Sequence, residues 1–184
     1  MIKSSIMSKE ILTLSYLNED DKAYGLAGMA ISLAALDAMD RVAAVSLDAD
    51  GPMVSFSHEY FFSGSPSISP KATWDNLLHN YYITSAMVLS NVMARSIVRL
   101  QSNDVPDDIL KTLRHEIAEE GRDTCSLEDD EIETIFDKTN SYMRRIFRNP
   151  RLHPAIDEFA RTLSRRRNLS GMEILDELRL LQII

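Results

Sequence analysis

The sequence predicts a mainly α protein, an irregular bundle of five to seven helices. The pattern near residues 43–62 is also compatible with a small β-hairpin. Apolar residues recur at steps of three and four along most of the chain, which is the periodicity of helices packed on a core. Only one stretch shows the alternation of a strand. Capping residues, glycine and proline separate the periodic segments, so the helices have defined ends.

The overall composition limits the classes of function. The chain has 184 residues, a formal net charge of −8 and one cysteine, Cys125. Its length fits a single helical domain, 1–184, that buries its own core. The negative charge argues against general binding to nucleic acids or anionic membranes. A lone cysteine excludes an internal disulfide, so we expect a reducing, cytoplasmic location.

No membrane partner is expected, because the most apolar run, residues 25–36, is shorter than the roughly 20 residues that span a bilayer. This run belongs to the first predicted long helix, 22–45, and a shorter helix around 9–16 precedes it. The apolar face of 22–45 is rich in alanine and starts near Gly25 and Gly28. Small side chains let another helix approach closely, so we expect a central packing helix.

A turn and a strand follow this helix. Residues 47–52 (LDADGP) have the composition of a turn, and 53–62 (MVSFSHEYFF) begin with the apolar–polar alternation of a strand. Because one strand cannot stand alone, a hairpin with residues 43–47 is expected. The serines and prolines of 63–70 disfavour regular structure, so the sequence predicts a loop at 63–72 between the N-terminal and C-terminal helices.

Residues 73–101 give the strongest helical pattern, with apolar side chains over roughly half of the circumference. Such a helix either lies in the middle of a bundle or is covered by a second copy of the chain. Four further helices are predicted over 104–121, 126–148, 154–167 and 170–182. Gly121 is read as the end of the first, and Ser170 with Glu173 forms a capping box at the start of the last.

The stretch 113–123 (LRHEIAEEGRD) contains part of the zinc-protease signature H-E-x-x-H, with Glu119 in place of the second histidine. His115 and Glu119 stand one helical turn apart, as two metal ligands would. The apolar positions of this helix lie on the opposite side, so the pair is expected to face solvent. We therefore predict no metal site here, and no cofactor is indicated elsewhere in the sequence.

A second pair, Asp75 and His79, also stands one turn apart and shares the second apolar stripe of the helix 73–101. A partly buried carboxylate next to an imidazole orients it for proton transfer or for metal binding. The alternative is a structural pair near a helix N-terminus. These two residues are the weak catalytic candidates of the sequence.

The charge is divided along the chain, since residues 104–133 are strongly acidic and residues 141–167 are rich in arginine. A basic surface for nucleic acid or an acidic partner would consist of Arg144, Arg145, Arg148, Arg165, Arg166 and Arg167. Many of these arginines stand in the last turn of a helix, where they complement the helix dipole. Pairing with the acidic segment, within the chain or across a dimer, is the favoured interpretation.

Three hypotheses of function follow. The first is a protein-interaction module without catalysis that self-associates, with a homodimer as the expected form. The second is a small metal-dependent or acid–base enzyme centred on His79 and Asp75. The third, a nucleic-acid binder using the C-terminal arginines, has the least support.

Overall fold

Six α-helices and a small antiparallel sheet make up the part of the chain that the structure, a computed structural model, describes: residues 12–57 and 70–183. This confirms the predicted fold class. The helices are α1 (Glu19–Ala35), α2 (Pro70–Met93), α3 (Asp107–Cys125), α4 (Asp129–Phe147), α5 (His153–Arg166) and α6 (Gly171–Leu180). The strands are β1 (Val42–Ser46), β2 (Val54–Phe56) and β3 (Asn168–Ser170).

Helix α1 starts at a well-formed cap. The side chain of Asn18 accepts a hydrogen bond of 2.8 Å from the backbone N–H of Asp21, and three acidic residues occupy the first turn. Both features stabilise a helix N-terminus. The prediction of a shorter helix around 9–16 is wrong for residues 12–16, which are not helical. Residues 9–11 lie outside the described ranges.

Helix α1 ends ten residues earlier than the sequence predicted. Asp37 adopts a left-handed conformation with φ of 54°, and the N–H of Ala38 donates to the carbonyl of Leu33 at 2.8 Å. This hydrogen bond belongs to a Schellman motif, which terminates helices. After a 3₁₀ turn, Met39–Arg41, the chain becomes strand β1, in which Val42 and Val45 are buried at a spacing that also fits a helix.

The predicted hairpin is present, because β1 pairs antiparallel with β2. Strand β3, which the sequence did not predict, pairs antiparallel with the other edge of β1, giving the order β2-β1-β3. Of the predicted strand 53–62, residues 58–62 lie outside the described ranges. The same is true of 63–69 in the predicted loop, whereas residues 70–72 already belong to α2, so the loop prediction is wrong there.

Helix α2 forms the centre of the bundle and continues into a π-helical segment, Ala94–Arg99. It packs against α1, α3 and α4, while α1 also packs against α5. Its buried apolar side chains include Ile83, Ala86, Leu89, Val92, Met93 and Ile97. The wide apolar arc of residues 73–101 is therefore covered largely by the chain itself, as expected of a helix in the middle of a bundle.

Helices α1 and α2 come into close contact at Gly28. A Cβ atom at this position would lie 2.2 Å from the carbonyl oxygen of Ser90 and 2.8 Å from the Cβ of Ala94. The glycine therefore permits a backbone contact that any other residue would prevent. This finding agrees with the predicted role of the alanine-rich helix as a central packing element.

Gly121 also lies at a close contact between helices. The prediction that it ends the helix is wrong. Helix α3 continues past it to Cys125 and ends where Ser126 takes a φ of 49°. A Cβ atom at Gly121 would lie 2.7 Å from the hydroxyl oxygen of Tyr81 on α2. The capping box predicted at the start of α6 is confirmed, since Ser170 and Glu173 exchange the expected hydrogen bonds.

We predict that Gly28→Ala lowers the free energy of unfolding by roughly 1–3 kcal/mol, because the added methyl group forces α1 and α2 apart. Alanine's higher helix propensity, worth about 1 kcal/mol, offsets only part of this cost. Gly51→Ala is the control, since a Cβ atom at Gly51 meets nothing within 4 Å. Urea unfolding of both variants tests the prediction, and equal stabilities would contradict it.

Candidate functional site

Asp75 and His79 lie near the start of α2, and both side chains are exposed. Among the described residues, neither makes a hydrogen bond or an ion pair with the other. Partial burial, together with the positive charge of Arg41, lowers the pKa of His79, and Asp40 opposes this shift. Burial first, and then the charge of Arg41, thus favour the neutral form of the imidazole more than Asp40 favours its charged form.

His115 and Glu119 face solvent, as the helical phase predicted. Their side chains are 69% and 60% exposed, and 3.5 Å separates the Nε2 of His115 from the Oε1 of Glu119. Within the described ranges, no group of three or more His, Cys, Asp or Glu side chains is arranged to hold a metal ion. The partial zinc-protease signature is therefore an exposed pair on the surface of α3.

The first group of candidate arginines, at the end of α4, is largely engaged within the chain. Asp104 accepts from Arg148 at 2.6 Å and lies 3.2 Å from Arg144. Arg145 lies over the ring of Tyr142, with its guanidinium carbon 5.3 Å from the ring centre. Asp104 belongs to the acidic segment 104–133. Arg144 and Arg148 therefore pair with that segment within the chain, which is the pairing that the charge pattern favoured.

The second group, at the end of α5, also pairs within the chain, but with acids outside that segment. Arg165 donates to Glu158 at 3.1 Å, and Arg166 pairs with Glu173. Arg167 donates from Nε to Asp48 at 2.8 Å and from Nη1 to Glu19 at 2.6 Å, a contact that connects α5 with α1 and the turn after β1. The sequence did not predict these partners.

A buried polar site with many hydrogen bonds was not predicted from the sequence. Arg95, in the π-helical segment, and Asp21, in the first turn of α1, are both 0% exposed. The Nε of Arg95 donates to one carboxylate oxygen of Asp21 at 2.9 Å, and Nη2 donates to the other at 2.7 Å. This bidentate geometry is the strongest form of an arginine–carboxylate contact.

Arg95 also holds the segment that precedes α1. Its guanidinium donates to the backbone carbonyls of Thr13 at 2.7 Å, Leu14 at 3.3 Å and Ser15 at 2.9 Å. The ring of Tyr16 lies 4.8 Å from its guanidinium carbon, within the range of a cation–π contact. These contacts satisfy the arginine inside the protein and leave no free face for a substrate, so its role is structural.

Asp21 is ionised despite its burial. Burial raises the pKa of its carboxyl, but hydrogen bonds from Arg95 and from the Leu17 amide, with the charges of Arg95 and Arg99, outweigh it and leave the pKa below its ordinary value. The Leu17 amide donates at 3.0 Å and Arg99 at 3.3 Å. A signal for this site existed in the sequence, since Arg95 is the one charged residue in the run 83–98, which continues from α2 into the π-helical segment.

An apolar groove of about 500 Å³ lies among α1, α2, the turn after β1 and strand β2. Its described lining includes Met29, Met53, Met87, Tyr16 and Phe56. Tyr16 and Lys22 are the ionisable groups of this described lining; the ammonium of Lys22 donates to the Leu47 carbonyl at 2.6 Å, and burial raises the pKa of Tyr16. The described lining of the groove therefore offers apolar packing and no acid–base pair.

The outer face of α6 carries the two most exposed large apolar side chains of the described residues. Met172 is 69% exposed and Leu180 is 78% exposed, two turns apart, whereas the other large exposed apolar side chains are 38–46% exposed. Between them lie Asp176 and Arg179, which approach each other to 3.7 Å. A partner that covered these two side chains would remove their apolar surface from water.

Comparison of this chain with protein-family models, with curated proteins and with solved structures finds no match. In the ranges that the structure describes, no helix has both the length and the apolar character needed to cross a membrane.

We predict that Arg95→Met and Asp21→Asn each lower the free energy of unfolding by about 3–5 kcal/mol, because each leaves a buried charge without its main counter-charge. The double variant Arg95→Met with Asp21→Leu is expected to be more stable than either single variant, since both polar groups are then removed. Thermal and denaturant unfolding measure these effects.

The control for this series is Arg122→Met on α3, which breaks an ion pair with Asp129 whose side chains are 42% and 81% exposed. Such surface pairs contribute about 0–1 kcal/mol. If Arg95→Met were as mild as this control, the buried pair would not have the role described here.

For His79, an NMR titration is expected to give a pKa below the ordinary value of 6.5. The neutral form is favoured in the folded state. The stability that His79 contributes is therefore present above the ordinary pKa of 6.5, and it is lost as the pH falls below 6.5 and through the lowered pKa of the folded state. A pKa above 6.5 would contradict this expectation. It would show instead that a carboxylate dominates the imidazole, as an Asp–His pair for proton transfer requires.

Proposed function

We propose that this chain is a helical protein-interaction module without catalysis, and that its partner is a second copy of itself. The single observation that carries the proposal is the outer face of α6, where Met172 and Leu180 are the most exposed large apolar side chains of the described residues. Burying such side chains against a partner removes apolar surface from water and favours association.

The apolar arc of the helix 73–101 and the charge blocks, from which the sequence predicts self-association, offer only limited surface to a partner. Most of the apolar arc of α2 is buried against α1, α3 and α4 within one copy of the chain. Most of the candidate arginines are also engaged within the chain. Self-association is therefore assigned to α6, and its salt dependence is expected to be modest.

The two alternative functions have less support. An enzyme centred on His79 and Asp75 needs these side chains to act together, and both are exposed without a mutual hydrogen bond in the described structure. A nucleic-acid binder needs free cations, and five of the six candidate arginines have carboxylate partners.

The proposal places the protein in a reducing compartment, with the cytoplasm as the expected location. Cys125 is buried, and burial, with a smaller contribution from the charge of Glu120, raises the pKa of its thiol. A thiol of this kind remains protonated at neutral pH and reacts slowly with oxidants. The module is accordingly expected to associate without a disulfide.

We predict a reversible dimer whose fraction rises over about a hundredfold range of protein concentration. Sedimentation velocity measures the monomer–dimer equilibrium. The double variant Met172→Ser with Leu180→Ser removes the exposed apolar side chains of α6 and is expected to remain monomeric over the same range.

The control is Leu17→Ser, because Leu17 is 46% exposed but lies before α1 and not on α6. This variant is expected to dimerise like the original protein. A protein that stays monomeric at every concentration, before any substitution, would overturn the proposal.

A further inference from the structure

We propose that the α6 helices of two copies pack antiparallel about a two-fold axis that passes between residues 177 and 178. This inference rests on the proposed self-association and specifies its interface. In a two-fold interface both copies use the same surface. If residue i of the first copy contacts residue j of the second, then residue j of the first also contacts residue i of the second. The outer face of α6 has the residue pattern that this symmetry requires.

The helix presents two different sides. Ile174 and Leu178 are 0% exposed and face the core. Met172, Asp176, Arg179 and Leu180 are exposed, and Leu175, which is half-buried, lies at the edge of this outer side. These five positions follow the three- and four-residue spacing of a single helix face, so a partner helix can contact them together.

The order of residues on this face is self-complementary. In an antiparallel pair centred between residues 177 and 178, Leu175 of one copy lies opposite Leu180 of the other. In the same register, Asp176 lies opposite Arg179. Leu175 thus meets Leu180 and Asp176 meets Arg179, each twice because of the symmetry, while Met172 lies opposite position 183, past the end of the partner helix. Centring the pair on Asp176 would place this carboxylate against its own copy, which electrostatic repulsion disfavours.

The other charges of α6 are already engaged within the chain. Glu173 caps the helix and pairs with Arg166. Glu177 accepts a hydrogen bond from Thr162 at 3.1 Å. Asp176 and Arg179 have only each other among the described residues, at 3.7 Å, and their side chains are 67% and 64% exposed. They are therefore the two charges of the helix that remain for a partner.

The size of this surface sets the expected strength of the dimer. Stable interfaces bury about 800 Å² of each partner, and a helix of 10 residues supplies less than this from one face. We therefore expect a weak dimer that exchanges rapidly, in which the pairing of Asp176 with Arg179 selects the register.

Charge reversal tests the register directly. D176R places two arginines opposite each other in the dimer, and R179D places two aspartates opposite each other. Each variant alone is expected to dimerise at least about tenfold more weakly than the original protein. A mixture of D176R and R179D restores both opposite-charge contacts, so a heterodimer is expected. Native mass spectrometry with a mass tag on one variant distinguishes the heterodimer from both homodimers.

The double variant D176R/R179D keeps the net charge of the protein and exchanges the two charges, so its homodimer is expected to match the original. Matched controls change the charge by the same amount on α3: K111D for R179D, and D123R for D176R. Both control residues are exposed, and the controls are expected to dimerise normally. Circular dichroism checks that every variant folds.

The outcomes separate this inference from the proposed function. If the original protein dimerises and the single charge reversals dimerise equally well, the α6 register is wrong while self-association stands. Loss of dimerisation in both single variants without a heterodimer in the mixture also overturns the register. If the original protein is monomeric throughout, the proposed function and this inference both fail.

Discussion

The ion pair between Arg95 and Asp21 is the interaction on which the N-terminal half of this fold depends. It joins three parts of the chain that are distant in sequence: the segment before α1, the first turn of α1, and the π-helical segment after α2. Removing two charges from water is costly, and a buried pair alone does not guarantee stability. Here the carbonyls of Thr13, Leu14 and Ser15 satisfy the remaining donors, which offsets that cost. The pair also determines which segments meet, because few other partners can satisfy a buried guanidinium.

The π-helical segment explains how α1 and α2 accommodate this pair. Leu100 donates its N–H to the carbonyl of Arg95 at 3.1 Å, one residue further back than in an α-helix. A π segment of this kind shifts the side chains that follow it around the helix axis, and such segments are frequent at specialised sites. The packing of α1, α3 and α4 against α2 buries most of the apolar arc of that helix.

Much of this fold is predictable from periodicity, and the errors have physical causes. The helices α2 to α6 follow from apolar spacing and capping residues, and the two-stranded hairpin follows from a turn next to an alternating stretch. The overlong first helix arose because Val42 and Val45 suit a strand and a helix equally. Strand β3 has three residues, too few for any pattern to appear. The partners of the arginines were only partly predictable, because Arg167 meets Asp48 and Glu19 from 119 and 148 residues away. The Arg95–Asp21 pair spans 74 residues and depends on the same long-range information.

The most direct test of the role of this ion pair is amide hydrogen exchange at Leu17, measured by NMR. This residue lies before α1, and its N–H donates to a carboxylate oxygen of Asp21 at 3.0 Å. If Arg95 and Asp21 hold the N-terminal segment in place, the Leu17 amide exchanges slowly, at rates close to those of the amides within α1. Exchange at the rate of an unstructured peptide, while α1 itself stays protected, would contradict the account.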